Sequence, residues 1–268
     1  MNRYQTLFAT LAARGEGAFV PFVMLGDPGL EESLAVIDAL IEGGADALEL
    51  GIPFSDPVAD GPVIQAAANR ALAAGVTPTA CFALLRRIRA KYPALPIGLL
   101  IYSNLVAHGD AEAFFRELAE AGVDSVLIAD VPSVEIEPVA SLAQAAGIAL
   151  VLVVPPNANR ETIARIARCG SGYTYLQGRA GVTGTDNAMQ RPAEALIAAL
   201  KAENAAPALI GFGVSSPEHV QQALAAGAAG AIAGSAVVNL VERYHNAPET
   251  RRRALIEFVA GMKAATRR

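Results

Sequence analysis

The chain has 268 residues, of which 53% are hydrophobic and 18% charged, against roughly a quarter charged in an average soluble domain. So little charge requires a large buried core and excludes a disordered chain. The net charge of −5, with acids and bases interleaved, leaves no basic stripe for a phosphate backbone and excludes nucleic acid as a partner. The two cysteines, Cys81 and Cys169, lie far apart; they form neither a disulfide framework nor a zinc knuckle and fit a reducing cytoplasm.

Tyr4, Leu7, Phe8 and Leu11 fall at helical spacing and predict an amphipathic helix packed on the domain. The stretch up to Gly17 has no long apolar run, so no secretory signal is expected. Short apolar or β-branched runs then recur at Ala18–Leu25, Asp46–Leu50, Ile97–Tyr102, Ser125–Ala129, Ile148–Val154, Gly172–Gln177, Ala208–Phe212 and Gly230–Ala233. Between and after them lie segments of helical periodicity: Glu31–Gly43, Pro62–Ala74, Pro78–Lys91, Ala111–Ala121, Glu135–Ala146, Asn159–Cys169, Arg191–Glu203, Pro217–Ala226, Ser235–His245 and Glu249–Ala265. Near-continuous apolar runs such as Leu150–Val154 are the pattern of parallel strands covered by helices. Ala223–Val241 carries no charge over about the length of a membrane span. Its Ala and Gly content, with Gly227, Gly230 and Gly234 as punctuation, predicts instead a helix end, a short strand and a helix start, so no membrane is expected. Eight strand–helix units in about 250 residues is the arithmetic of an α/β (β/α)8 TIM barrel. The expectation is a single barrel domain over 1–268, with an extra N-terminal helix and additional helices after strands two and eight.

In such a barrel the chemistry lies at the C-terminal strand ends and in the loops that follow. Glu49 alternates with Leu48 and Leu50 at the end of an apolar strand, which points its carboxylate into the barrel. That costs several kcal/mol unless it is compensated. The choice is between an ion pair with a neighbouring arginine and an acid–base group whose pKa an apolar pocket raises. Asp60, in the loop Gly51–Gly61, either caps the helix that starts at Pro62 or faces Glu49 across a bound molecule. After the last two strands, Gly211-Phe-Gly213 and Gly234-Ser235 predict a phosphate cradle of backbone N–H groups and a helix N-terminus, with Ser235 capping that helix and donating its hydroxyl. The loop Gly178–Gln190, with three glycines among small polar residues, predicts a lid that brings Gly184 to the phosphate. Tyr173 and Tyr175 face the same way, Tyr175 nearer the mouth. The only lysines, Lys91, Lys201 and Lys263, lie in helices, so no strand-end lysine offers a Schiff base. The three histidines are scattered, and no metal site is expected. Proton-transfer chemistry on a small phosphate ester remains: isomerisation, aldol-type cleavage or decarboxylation.

The run Leu48-Glu-Leu-Gly-Ile-Pro-Phe-Ser-Asp-Pro-Val-Ala-Asp-Gly-Pro-Val-Ile-Gln65 closely resembles the signature of the tryptophan synthase alpha chain family. So do Gly172-Tyr-Thr-Tyr-Leu176, Arg179-x-Gly-Val-Thr-Gly184, Gly211-Phe-Gly-Val-Ser-Ser216 and Ala231-x-x-Gly-Ser235. The resemblance implies a lyase of tryptophan biosynthesis that reversibly cleaves indole-3-glycerol phosphate to indole and glyceraldehyde 3-phosphate. It further implies that Glu49 is the main acid–base group, that Asp60 stabilises positive charge on the ring nitrogen, and that Tyr175 lies near Glu49 and the substrate. By the same resemblance Gly184, Gly213, Gly234 and Ser235 hold the phosphate, and Phe22, Leu100, Leu127, Thr183 and Phe212 line the pocket. Arg179, Gly181 and Thr183 belong to the lid. The implied partner is a beta chain carrying pyridoxal phosphate (PLP), in an alpha2beta2 heterotetramer; this chain itself is expected to carry no cofactor. Pro53, Asp56, Pro57 and Asn104 are the expected partner contacts. One departure is visible: Gln177-Gly178 stands where the family more usually has an apolar residue and a serine, and predicts a looser lid.

Overall fold

The computed structural model describes residues 2–177 and 193–267. Its first helix, α1 (Arg3–Ala13), starts on a capping box in which the Asn2 and Gln5 side chains each bond the other's backbone N–H. The order then runs β1 (Ala18–Met24), α2 (Leu30–Glu42), β2 (Leu48–Gly51), α3 (Pro62–Ala73), α4 (Pro78–Lys91), β3 (Ile97–Ile101), α5 (Ser103–Ala107), α6 (Ala111–Glu120) and β4 (Ser125–Ile128). It continues with α7 (Glu137–Ala145), β5 (Ala149–Leu150), β6 (Leu152–Val154), α8 (Arg160–Cys169), β7 (Thr174–Gln177) and α9 (Ala193–Ala202). The last elements are β8 (Ala208–Gly211), α10 (Pro217–Ala225), β9 (Gly230–Ala233), α11 (Ser235–Arg243) and α12 (Pro248–Ala264).

The strands form one parallel sheet in the order β5-β4-β3-β2-β1-β9-β8-β7-β6. Its two ends are joined by the chain itself, because β5 and β6 are halves of the fifth barrel strand. The single run expected at Ile148–Val154 breaks at Val151, where the ladder changes partner. Ala149–Leu150 pair with β4, Leu152–Val154 pair with β7, and the Val151 N–H goes to the Val126 carbonyl. The expected (β/α)8 barrel is therefore what the chain forms, with α1 preceding it and paired helices following β2 and β9. The second strand starts later than its apolar run, at Leu48, because the Asp46 carboxylate accepts from the Phe19 N–H and pairs with Lys263.

Alternation along the strands separates two apolar layers. Leu48, Leu50, Leu99, Ile101, Val126 and Ile210 belong to the outer core against the helices. Ala18, Val20, Ala47, Leu127, Val151, Tyr173, Tyr175, Leu209 and Ile232 fill the barrel, and Tyr4 and Leu11 of α1 join them. The uncharged stretch from 223 to 241 divides as its glycines predict, into the end of α10, β9 and the start of α11. Among the described residues no single helix is long and apolar enough to cross a membrane. Helix α3 is bent 101° from α4 and packs on α11 and β1. The expected lid residues Gly178, Arg179, Gly181, Thr183 and Gly184 lie outside the described residues.

Candidate active site

Leu48 and Leu50 turn outward into the helix–sheet core, so Glu49 turns inward. It is 2% exposed, and among the described residues no arginine or lysine compensates it. Its partner is the Tyr173 hydroxyl, which donates to Oε1 at 2.6 Å. Burial is the larger effect and pushes the carboxyl up to about 7; the Tyr173 hydrogen bond opposes the rise, and the charge of Asp60 adds to it. Burial and the Glu49 charge hold the phenols of Tyr173 and Tyr175 well above their ordinary range, so both stay O–H donors. Beneath them Tyr4 of α1 stacks at a tilt on Tyr173, 5.5 Å between centroids, and shares a 2.9 Å hydrogen bond with Ser125. The N-terminal helix thus supplies the floor of the pocket.

Asp60 does not cap α3: the N-cap is Gly61, with no side-chain hydrogen bond. Burial raises the Asp60 carboxyl above its ordinary value while a hydrogen bond from Tyr102 lowers it. The Tyr102 hydroxyl also accepts from the Ala59 N–H at 3.1 Å. Tyr175 stands beside Gly211, and a Cβ at position 211 would overlap the phenol, so this approach needs glycine there. Phe212 and Gly213 both take left-handed backbone, at φ 78° and 76°. For Phe212 that costs about 1–3 kcal/mol, the kind of strain that marks functional loops, and its ring is 56% exposed at the mouth.

Gly234 is the N-cap of α11 and borders Phe22 and Ile64. Ser235 is the first helical residue and is exposed, and no side chain caps this helix. The capping expected of Ser235 therefore does not occur, because glycine already occupies the cap position. The first turn of α11 still presents its N–H groups at the mouth. Phe22 and Leu127 are buried, and Leu100 packs between the two apolar layers. Among the expected partner contacts, Asp56 and Asn104 are exposed and Pro57 is half-buried. Pro53 is buried within this chain, since it continues the buried strand end Gly51-Ile52. Asn104, Ile52, Phe54, Phe82, Asp110 and Phe114 line a groove of about 620 Å³ beside this loop.

Three residues of the site carry no assignment from the sequence: Tyr173, Tyr102 and Tyr4. The sequence places Tyr173 only on the same face as Tyr175, and Tyr102 only at a strand end. Strand-end position was the available signal for both; Tyr4 gave only a helical stripe.

Fold and site together define a class: a parallel (β/α)8 barrel with a buried, phenol-bonded carboxylate inside and a glycine-edged helix N-terminus at its mouth. The family model for the tryptophan synthase alpha chain matches residues 8–267. The tryptophan synthase alpha chain of Shewanella amazonensis is 58% identical over 266 residues, covering 99% of this chain and 100% of that one. That of Escherichia coli O127:H6 is 57% identical over 268 residues, covering both chains fully. The crystal structure of tryptophan synthase subunit alpha from Legionella pneumophila superposes with a TM-score of 0.88 at 29% identity, over 99% of this chain and 98% of that one. The chain belongs to the tryptophan synthase alpha chain family.

Proposed function

We propose that the chain is a carbon–carbon lyase, cleaving indole-3-glycerol phosphate reversibly to indole and glyceraldehyde 3-phosphate in tryptophan biosynthesis. The observation that carries this reading is Glu49: a buried carboxyl without a cation, bonded to a phenol and poised near pH 7, where it serves as acid and as base. Glu49 delivers a proton to the indole ring carbon that bears the glycerol chain, and the ring nitrogen becomes positively charged. The Asp60 carboxylate stabilises that charge. Glu49 then accepts the proton of the adjacent glycerol hydroxyl; the carbon–carbon bond breaks, its electron pair returns to the ring, and the aldehyde forms. Tyr175 borders the reacting carbons. Gly213, Gly234 and Ser235 hold the phosphate, joined by Gly184. Phe22, Leu100, Leu127 and Phe212, with Thr183, enclose the ring and glycerol.

Indole is passed to a beta chain, the PLP-bearing partner in an alpha2beta2 assembly in the cytoplasm. Asp56, Pro57 and Asn104 face that partner, beside the groove under Phe54. The test is indole release from indole-3-glycerol phosphate by the purified chain, alone and with a tryptophan synthase beta chain. Slow release alone, acceleration by the partner and loss in Glu49→Gln are expected. Full turnover in Glu49→Gln would overturn the acid–base role. No release under either condition, with the phosphate ester still bound, would make the chain a silent regulatory subunit.

A further inference from the structure

The segment from Phe54 to Asp60 leaves the barrel after β2 and returns at α3. Within it, hydrogen bonds run from the Val58 N–H to the Asp56 carbonyl and from the Asp60 N–H to the Pro57 carbonyl. Among the described residues it is bonded from outside at two side chains. Gln65, on the helix the segment leads into, donates to the Asp60 carbonyl at 2.8 Å. The other is Tyr102, which follows β3 on a different part of the barrel, 43 residues away from Ala59. Tyr102 is 2% exposed, so its phenol is fixed by its surroundings. Its hydroxyl oxygen accepts from the Ala59 N–H at 3.1 Å, immediately before Asp60 in the chain, and the phenol lowers the Asp60 carboxyl against the rise that burial causes. Its ring stacks on Phe54 at the other end of the same segment, with centroids 5.3 Å apart and planes 26° apart. One buried side chain thus grips the segment at both ends.

We propose that Tyr102 is the positioning residue of Asp60, fixing the chain at Asp60 through the hydroxyl's bond to the Ala59 N–H and tying it through the Phe54 stack to the conformation of the whole segment. This rests on the role given to Asp60 under Proposed function. A phenol beside a carboxyl lowers it, as Tyr102 does Asp60, and so favours the charged form that Asp60 needs.

The decisive variant is Tyr102→Phe, which removes the hydroxyl and keeps the ring on Phe54. Expected is a fall of about tenfold to a hundredfold in kcat for indole release, with KM within about twofold, because Asp60 acts on charge that develops in the transition state. In an Asp60→Asn background the same change lowers kcat by less than about twofold, since the group it positions is already gone. Unchanged kcat in Tyr102→Phe, or full losses that multiply in the double variant, would overturn the proposal. If the unsubstituted protein releases no indole, the lyase reading fails on its own. The positioning is then decided by NMR titration of the Asp60 carboxyl, which should move to higher pH in Tyr102→Phe and is refuted if it does not move.

Discussion

Glu49→Gln isolates what burying this carboxyl costs the fold. The glutamine is neutral at every pH, has nearly the same shape and keeps an oxygen for the Tyr173 hydroxyl. In the native protein the carboxyl holds its proton up to about pH 7, whereas the unfolded chain gives it up near 4.5. Below 4.5 both states are protonated and the native state bears no penalty. Between 4.5 and about 7 the unfolded state has fewer protons bound, so stability falls as pH rises; above about 7 the loss is complete. At about 1.4 kcal/mol per pH unit, the interval corresponds to about 3 kcal/mol. Glu49→Gln should therefore match the unsubstituted protein near pH 4.5 and exceed it in stability by about 3 kcal/mol at pH 8. Asp46, whose carboxyl burial also raises, titrates in both proteins and cancels in the difference, whereas the repulsion between Asp60 and Glu49 is lost in the variant and forms part of the gap. Urea unfolding followed by far-ultraviolet circular dichroism, at intervals from pH 4.5 to 8.5, reads the gap directly. A gap independent of pH, or a less stable variant at pH 8, would refute the account of Glu49 as a desolvated acid.

Tyr173→Phe removes the donor that holds Glu49 down. A hydrogen bond to a charged group is worth about 1.5–3 kcal/mol, so the Glu49 carboxyl should climb by about one to two pH units; because Glu49 acts first as an acid, this is read as a displacement of the alkaline limb of kcat/KM to higher pH. A profile that stays in place would remove Tyr173 from the site. Arg70 holds the buried Asp27 carboxylate through two 2.8 Å hydrogen bonds. Arg70→Met should cost about 3 kcal/mol in urea unfolding, and a loss below about 1 kcal/mol would mean that the carboxylate finds solvent. Gly211→Ala drives a methyl into Tyr175, for an expected loss of about 1–3 kcal/mol. Indole release should fall with it as the phenol is displaced; unchanged turnover would count against Tyr175 as a substrate neighbour.

Period and punctuation made the barrel legible from the sequence. Apolar runs too short for helices alternate with helical stripes, and that pattern of strand, helix and Gly-Pro-Asp turn is local. Glu49 was legible for the same reason, since a carboxylate flanked by outward leucines on a strand has to point inward. The ambiguity at Asp60 was also local: a helix cap and a pocket carboxylate have the same residues around them. Contacts across the barrel resolve such choices. Tyr173 reaches Glu49 across 124 positions of sequence, Tyr102 reaches Ala59 across 43, and Tyr4 reaches Ser125 across 121. The break at Val151 follows the same logic, since it depends on which neighbour each half of the strand meets.

The sequence by itself determined the eight-unit barrel, the end of it that carries the chemistry and the inward-facing carboxylate, because each follows from periodicity of 2 or 3.6 and from the cost of burying charge. Only the tertiary structure decided that Glu49 is bonded to a phenol rather than to an arginine. It alone decided that Asp60 answers to Tyr102 rather than to its own helix, and that Pro53 is buried while Asp56 and Asn104 are exposed. Those outcomes depend on strand register and barrel closure, which set distances between residues that the chain separates by tens of positions.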